Sequence, residues 1–291
     1  MTRLTEDDVR DLIARLAVFE RDLVAATGLT LGELAQRTVD VDRALVAGRE
    51  LVATSGGFAG LAATAAVPFD GARVAAVPVT TGEGLIPGFC ECVVAILRHL
   101  GCGARVTTLP DVRGLQEAAD GGNEVVFVAD DVRFIALDIR SGRCADDDPA
   151  TADGYVTALA AAVGGLAGRP VLLLGLGPVG RAAGSRLAAL GADLLVVDPD
   201  AAAVSRAAGE GLVFSRVALD EGLARCDLLF DATPAAEIVA ASDLRRGMTA
   251  AVPGVPSAFD AGARELLGVR HIHEPLAVGV AVMAARALAK D

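Results

Sequence analysis

Apolar residues along this chain recur first at the spacing of a helix and then, from position 73 onward, as short runs that alternate with helical stretches. Thr5 reads as an N-cap followed by Glu6, Asp7 and Asp8, and Val9, Leu12, Ile13, Leu16, Val18 and Leu23 then mark one helical face. Gly28 stops that helix and Thr30-Leu31-Gly32-Glu33 opens another, so the N-terminus reads as helical through about Arg37. Gly and Ala interrupt Thr38–Gly71, where only helical turns around Arg43–Ala53 are expected. Arg73–Val79 predicts a strand, Phe89–Leu100 a helix, Ala104–Thr108 a strand, Leu115–Ala119 a helix and Glu124–Ala129 a strand ending in Asp130-Asp131. That alternation predicts a small parallel α/β layer. Arg140–Asp148 reads as a polar turn and Gly154–Leu166 as a helix bridging two domains.

The stretch from Val171 to Asp198 carries the clearest chemistry. Val171–Leu174 is the continuous apolar run of a strand buried on both faces, and Gly175, Leu176, Gly177, Pro178, Val179 and Gly180 come after it as G-x-G-x-x-G. In such a loop the first glycine makes the turn, the second lets the backbone approach a pyrophosphate, and the third lets the helix pack against the sheet. Arg181–Leu190 reads as that helix, with its N-terminal N–H groups aimed at the phosphates, and Ala192–Val197 as a second strand ending in Asp198. An acid about 20 residues beyond the glycines accepts hydrogen bonds from the ribose hydroxyls of NAD and repels the extra phosphate of NADP. The order strand, glycines, helix, strand, acid therefore predicts a Rossmann-type NAD-binding domain. A helix near Ala202–Ala208 and strands at Val213–Phe214, Leu228–Asp231 and Thr249–Val252 continue the pattern. Ala232, Thr233 and Pro234 after one strand are candidates for the nicotinamide half of the cofactor, and Pro253 after the next is a further cofactor-binding candidate. Val278–Ala289 reads as a closing helix. The expected organisation is α/β throughout: an N-terminal helical segment with a smaller α/β substrate layer over residues 1–168, then a dinucleotide-binding domain with a C-terminal helix over 169–291.

Bulk properties narrow the partners. The formal net charge of −12 argues against nucleic acid or an anionic membrane as a partner. No apolar run approaches the roughly 20 uncharged residues of a membrane span, and Met1–Glu20 has no signal-peptide core. The cysteines at 90, 92, 102, 144 and 226 are odd in number and lack paired C-x-x-C spacing, so free thiols in a reducing cytoplasm are expected. Lys290 is the only lysine, which removes a Schiff-base lysine and a lysine acid/base from consideration. The N-terminal helices read as a docking or dimerising arm, the latter giving a homodimer.

The blocks VPVTTGEGLIPGF (Val77–Phe89), LPDVRG with EVVFVADD (Leu109–Asp131), LLGLGPVG (Leu173–Gly180), VPGVPSA (Val252–Ala258) and EPLAVGVAVM (Glu274–Met283) resemble, in this order, the pyrrolysine synthase family. The resemblance runs from the opening LTEDD helix to the C-terminal helix. It implies an NAD-dependent dehydrogenase acting on a small amino-acid substrate, lysine joined through its side-chain nitrogen to 3-methylornithine. Oxidation of the terminal amine carbon, hydrolysis of the imine with loss of ammonia, and condensation of the resulting semialdehyde with the ornithine α-amine would form the pyrroline ring. Position by position, Thr81 stands in the family's substrate loop, Asp130 and Glu274 match acids facing the substrate, and Leu4 matches an apolar residue of the covering helix. Hydride can leave only from a neutral amine, so a proton acceptor is required, and Glu274, or water it anchors, is assigned that catalytic work, with Asp130 binding an ammonium group.

Plainer roles stand beside these. Glu274 would also serve as the cap of the C-terminal helix, Asp130 or Asp131 as a strand-end turn residue, and Thr81 as a loop hydroxyl satisfying its own loop. His271 and His273 would share a face of an extended segment, where a structural role is expected over metal ligation; no metal site is assigned. Cys90 and Cys92 read as inert thiols. The long Thr38–Arg73 stretch and the His-Ile-His run depart from the family pattern. They leave open a dehydrogenase or cyclodeaminase-like enzyme acting on another ornithine or lysine derivative. An NAD-sensing protein without catalysis is a third reading.

Overall fold

A computed structural model describes residues 6–47, 66–82 and 87–289. Leu4 and much of the Thr38–Gly71 stretch lie outside them. Two helices open the chain, α1 (Glu6–Thr27) and α2 (Leu31–Val46). Thr30 caps α2 through a reciprocal pair with Glu33, and the helix runs well past Arg37 because Leu34, Ala35, Thr38, Val39 and Val41 all find burial.

The first sheet has five strands, β1 (Arg73–Val77), β2 (Gly103–Val106), β3 (Val125–Ala129), β4 (Phe134–Asp138) and β5 (Cys144–Asp146), in the order β2-β1-β3-β4-β5. Helices α3 (Phe89–His99) and α4 (Asp111–Asp120) connect its first three strands, which are parallel. β4 and β5 pair antiparallel, so the layer expected to be parallel is mixed, and the stretch read as a polar turn supplies an edge strand. Short edge strands carry charge and few apolar residues, so they leave little alternation to read.

The second sheet is parallel throughout and comprises β6 (Pro170–Leu174), β7 (Asp193–Val197), β8 (Ser215–Arg216), β9 (Leu228–Asp231), β10 (Thr249–Ala251) and β11 (His271–Ile272). Its order, β11-β10-β9-β6-β7-β8, is the doubly wound arrangement in which ligands bind beyond the strand ends where the winding reverses, between β6 and β9. The short helices α8 (Leu219–Arg225) and α9 (Ala261–Leu267) were not signalled by periodicity, whereas α6 (Pro178–Ala189) and α7 (Ala201–Gly209) lie where expected.

Two helices join the sheets. α5 (Asp147–Val163) begins seven residues before the expected Gly154, at an Asp146 N-cap that accepts from the Asp148 N–H. α10 (Ala277–Leu288) was counted with the C-terminal domain but packs on α2, α3, α5, β4 and β5, across the first sheet. Nearly every residue of α10 is buried, and a helix that is apolar all round must be enclosed on every side. A buried ion cluster pins the junction. Arg186 of α6 grips Asp153 of α5 at 2.8 and 2.7 Å and also bonds Asp42 of α2, while Arg286 of α10 bonds Asp42 at 2.9 Å and Asp153 at 2.5 Å.

Candidate active site

At the carboxyl end of β6 the backbone turns with Gly175 at φ +89°, and a Cβ there would lie 2.8 Å from the Ala232 carbonyl oxygen. A Cβ on Gly180 would come within 2.1 Å of the Gly175 oxygen, which is why α6 can start so close to the strand end. A Cβ on Gly177 would meet nothing within 4 Å. The loop Gly175, Leu176, Gly177, Pro178, Val179 and Gly180 is thus tight where it meets the protein and open at Gly177, at the N-terminus of α6, where no side chain caps the helix. Asp198 at the end of β7 accepts from Leu176 N–H at 2.6 Å and from Asp200 N–H at 2.7 Å, setting a carboxylate against this loop. A loop open to a phosphate, a helix N-terminus and an adjacent carboxylate suit a dinucleotide's pyrophosphate and adenosine ribose.

On the far side of the switch point, Asp231 is fully buried and ties two loops together. Its carboxylate accepts from Thr233 N–H at 3.1 Å and from Ala258 N–H at 2.8 Å, and its carbonyl accepts from Gly254 N–H at 2.9 Å. Burial pushes its pKa up to about 6 against those two hydrogen bonds. The result sets Ala232, Thr233 and Pro234 beside Pro253 and Gly254, at the strand ends next to the glycine loop.

The first sheet opens a cavity of ≈ 170 Å³ at its own strand ends. Ala76, Val77, Phe89, Val93, Phe127 and Phe134 make its walls apolar, and Thr81, Glu91, Asp130 and Asp131 bring polar groups to it. The structure therefore unites Thr81 and Asp130, which stand 49 positions apart in the chain. Thr80, not Thr81, satisfies the loop, donating through hydroxyl and N–H to Asp111 at 2.5 and 2.8 Å. Asp130 accepts from the N–H groups of Val132 and Arg133 at 2.8 and 2.7 Å, and these bonds hold its carboxyl below the usual range. It is both the strand-end turn residue and an ionised acid on the cavity. Cys90 also lines the cavity, its thiol pushed up to about 12 by burial, with Glu91 adding to the effect.

Glu274 does not line this cavity. It comes after β11, and its Oε2 accepts from Leu276 N–H at 2.9 Å and Ala277 N–H at 2.5 Å, so it caps α10. Oε1 takes no hydrogen bond from a described residue. The Tyr155 hydroxyl of α5 anchors the same turn, donating to the Glu274 carbonyl at 2.6 Å and accepting from its N–H at 2.9 Å. His273 bonds the Val252 carbonyl through Nδ1 at 2.6 Å, and burial drives the His271 pKa down to about 4, aided by His273 and Arg264. The acids at the start of α5 were missed by sequence reasoning, which placed them in a turn. Asp146-Asp147-Asp148-Pro149, an N-cap with acids in the first turn, was the available signal.

Fold and site together define a dehydrogenase with a Rossmann NAD-binding domain joined to a smaller mixed-sheet layer. A family model described as the NAD-binding domain of D-isomer specific 2-hydroxyacid dehydrogenases matches residues 145–240. One described as the N-terminal domain of pyrrolysine biosynthesis protein PylD matches residues 34–145. Pyrrolysine synthase of Methanosarcina acetivorans is 33% identical over 212 residues, 72% of this chain and 80% of that protein. The Methanosarcina barkeri enzyme is 31% identical over 72% of this chain and 79% of its own. Among solved structures, quinate dehydrogenase from Corynebacterium glutamicum in complex with NAD matches at 15% identity and a TM-score of 0.48, over 75% of this chain and 94% of that one. The chain belongs to the pyrrolysine synthase family. Among the described residues no helix is long and apolar enough to cross a membrane.

Proposed function

We propose that this protein oxidises the terminal amine of lysine-Nε-3-methylornithine to a semialdehyde with release of ammonia, and that the semialdehyde then cyclises with loss of water to pyrrolysine. The observation that carries this reading is the cavity of the first sheet, where Thr81 and Asp130 meet apolar walls at strand ends within a chain of this family. An aliphatic diamino acid needs that combination, since carboxylates hold its ammonium groups and apolar walls accept its methylenes.

Gly175, Leu176, Gly177, Pro178, Val179 and Gly180 would hold the pyrophosphate and Asp198 the ribose hydroxyls, which favours NAD over NADP. Ala232, Thr233, Pro234 and Pro253 would flank the nicotinamide. When bound, the dinucleotide supplies a hydride acceptor. Asp130, kept ionised by its two backbone N–H donors, binds a substrate ammonium, and Thr81 positions the same end of the molecule. Glu274, fixed by α10, presents Oε1 as a second acceptor for an ammonium or for the water that hydrolyses the imine. Ring closure then needs little beyond holding amine and aldehyde together, which can supply up to roughly 7–11 kcal/mol.

The test mixes purified protein, NAD and synthetic lysine-Nε-3-methylornithine, tracks NADH absorbance and weighs the product. NADH together with a product lighter by ammonia and two hydrogens is expected. Turnover of free ornithine or another diamine, with none of the conjugate, would replace this substrate and leave a dehydrogenase or cyclodeaminase-like enzyme of another ornithine or lysine derivative.

A further inference from the structure

The loop that brings Thr81 to the cavity is held from outside it. Pro78, Val79 and Thr81 border the cavity, and the backbone that carries them is tied at two points to Asp111, the first residue of α4. The Asp111 carboxylate accepts from Thr80 N–H at 2.8 Å and from the Thr80 hydroxyl at 2.5 Å, and the Asp111 N–H donates to the Pro78 carbonyl at 2.8 Å. The two Thr80 bonds hold the Asp111 carboxyl below its usual range, so at neutral pH it is purely an acceptor. An acid in the first turn of a helix ordinarily serves the free N–H groups of that helix. Pro110 at the N-cap of α4 offers no side-chain acceptor, yet both Asp111 oxygens go to Thr80, 31 positions earlier in the chain.

The backbone of Asp111 gives a second, independent sign. Its φ is +56°, and it is one of two described non-glycine residues in the left-handed region. Glycine takes that conformation freely and other residues avoid it, so an aspartate there is explained by its carboxylate. The frame behind it is fixed. A Cβ on Gly114 would lie 2.3 Å from the Leu109 carbonyl oxygen and 2.6 Å from Val77 Cγ1 at the end of β1, so the first turn of α4 packs hard against both strands it connects. Glu117 accepts from the N–H groups of Thr108 and Leu109, each at 2.9 Å, and pairs with Arg105 of β2 at 2.6 Å. The Thr107 hydroxyl donates to the Leu109 carbonyl at 2.8 Å. The Leu109–Gly114 block, which no step of the proposed reaction uses, is thus a strut from β2 to the loop after β1.

We propose that Asp111 is a positioning residue of the substrate loop: by gripping Thr80 it sets Thr81 against the substrate, while its own side chain stays outside the cavity. This rests on the proposed function, and deepens it by naming what holds the polar end of the cavity in place. Thr80 and Thr81 stand in tandem, and a loop freed from Asp111 could present either hydroxyl. With Thr80 bonded to Asp111, only Thr81 lines the cavity. Asp130 is held separately, by the N–H groups of its own turn, so loss of the strut should disturb one of the two substrate contacts and leave the other. The glycine loop lies on the other sheet and shares no bond with Asp111, so cofactor binding should not follow it.

Asp111→Gly takes the same φ and keeps the backbone bond to Pro78, so it removes the carboxylate alone. Calorimetric Kd and KM for lysine-Nε-3-methylornithine should both rise about tenfold in that variant, with kcat within about threefold of wild type and NADH affinity unchanged. A residue that only supported the fold would lower kcat through the active fraction and leave KM alone. Hydrogen exchange at the Thr80 amide, followed by mass spectrometry, should quicken in Asp111→Gly, a readout that needs no substrate. Asp111→Asn keeps an oxygen for the Thr80 N–H and an amide N–H for its hydroxyl, so it should bring KM back to within about threefold of wild type. Thr80→Val removes the hydroxyl bond and should raise KM about threefold; it decides the matter if Asp111→Gly does not fold. An unchanged KM in Asp111→Gly, or in Thr80→Val where it stands in, would overturn the assignment and leave the substrate reading in place. So would an Asp111→Asn as impaired as Asp111→Gly, since charge and not position would then be what the substrate needs. A wild type that neither binds nor turns over the conjugate would remove the substrate reading, and unchanged Thr80 exchange in Asp111→Gly would remove the strut whatever the substrate.

Discussion

The two sheets of this protein place their chemistry in different parts of the chain. In the six-stranded sheet it lies in the backbone: glycines where a Cβ would strike a carbonyl, a helix N-terminus with no side-chain cap, and one carboxylate bonded to the loop. In the five-stranded sheet it lies in side chains from separate loops, Thr81 after β1 and Asp130 after β3, over aromatic walls from α3, β3 and β4. A backbone device is written in consecutive residues, whereas a side-chain device appears only when strands distant in sequence pair. The junction belongs to neither, and the ion cluster of Asp42, Asp153, Arg186 and Arg286 holds it.

The largest effect is therefore expected at that junction. Asp153→Leu removes the carboxylate shared by both arginines and leaves two guanidinium groups confined without it, at a cost of about 3–5 kcal/mol measured by urea denaturation. The further change Arg186→Met should recover a large part of the loss, because a buried pair replaced as a unit leaves no stranded charge. Loss of stability as one transition would show that the sheets fold as a unit. Two separated transitions would show that the cluster is what couples them.

Gly180→Ala tests the backbone device. The new Cβ would sit 2.1 Å from a carbonyl oxygen of the preceding turn, not from a flexible side-chain tip. Overpacking of about 1–3 kcal/mol, felt where the pyrophosphate would lie, corresponds to roughly 10- to 100-fold weaker NAD binding by fluorescence titration. Affinity for the amino-acid conjugate in the other sheet's cavity should not change. A variant that loses both equally would make the two sites one.

The same contrast governs how much was legible in the sequence. The β6–α6–β7 unit could be placed nearly to the residue, because apolar run, glycines and acid are local signals with a fixed order. In the first sheet the strands β1 to β3 were legible and β4 and β5 were not, since a three-residue edge strand such as Cys144–Asp146 offers no period to read. The start of α5 was hidden for a related reason: three consecutive aspartates read as a turn until Asp146 is seen to cap a helix. Glu274 shows the converse. The motif around it was recognisable, but only the structure shows one oxygen spent on α10.

Asp130→Asn tests the side-chain device and should act on one ligand alone. The amide keeps an oxygen for the Val132 and Arg133 N–H groups, so the loop survives while the charge is lost. KM for the conjugate should rise roughly tenfold with NAD affinity unchanged. The rise should shrink in high salt, because Asp130 is exposed and its attraction to a cation is screened.

The smallest effect is expected at Cys90, and it tests whether the cavity wall is as apolar as its neighbours imply. With its pKa at about 12, the thiolate fraction at pH 7.5 is on the order of 10⁻⁴ to 10⁻⁵, and the thiolate is the reactive form. Iodoacetamide at that pH should label the exposed Cys144 while Cys90 stays unmodified, as peptide mass mapping would show. Raising the pH should bring Cys90 into reaction before the buried Cys92, because only Cys90 borders the cavity. Rapid labelling of Cys90 at pH 7.5 would mean that water reaches the wall freely. The cavity would then bind its substrate through charge alone, and the apolar half of the contrast between the two sheets would fall.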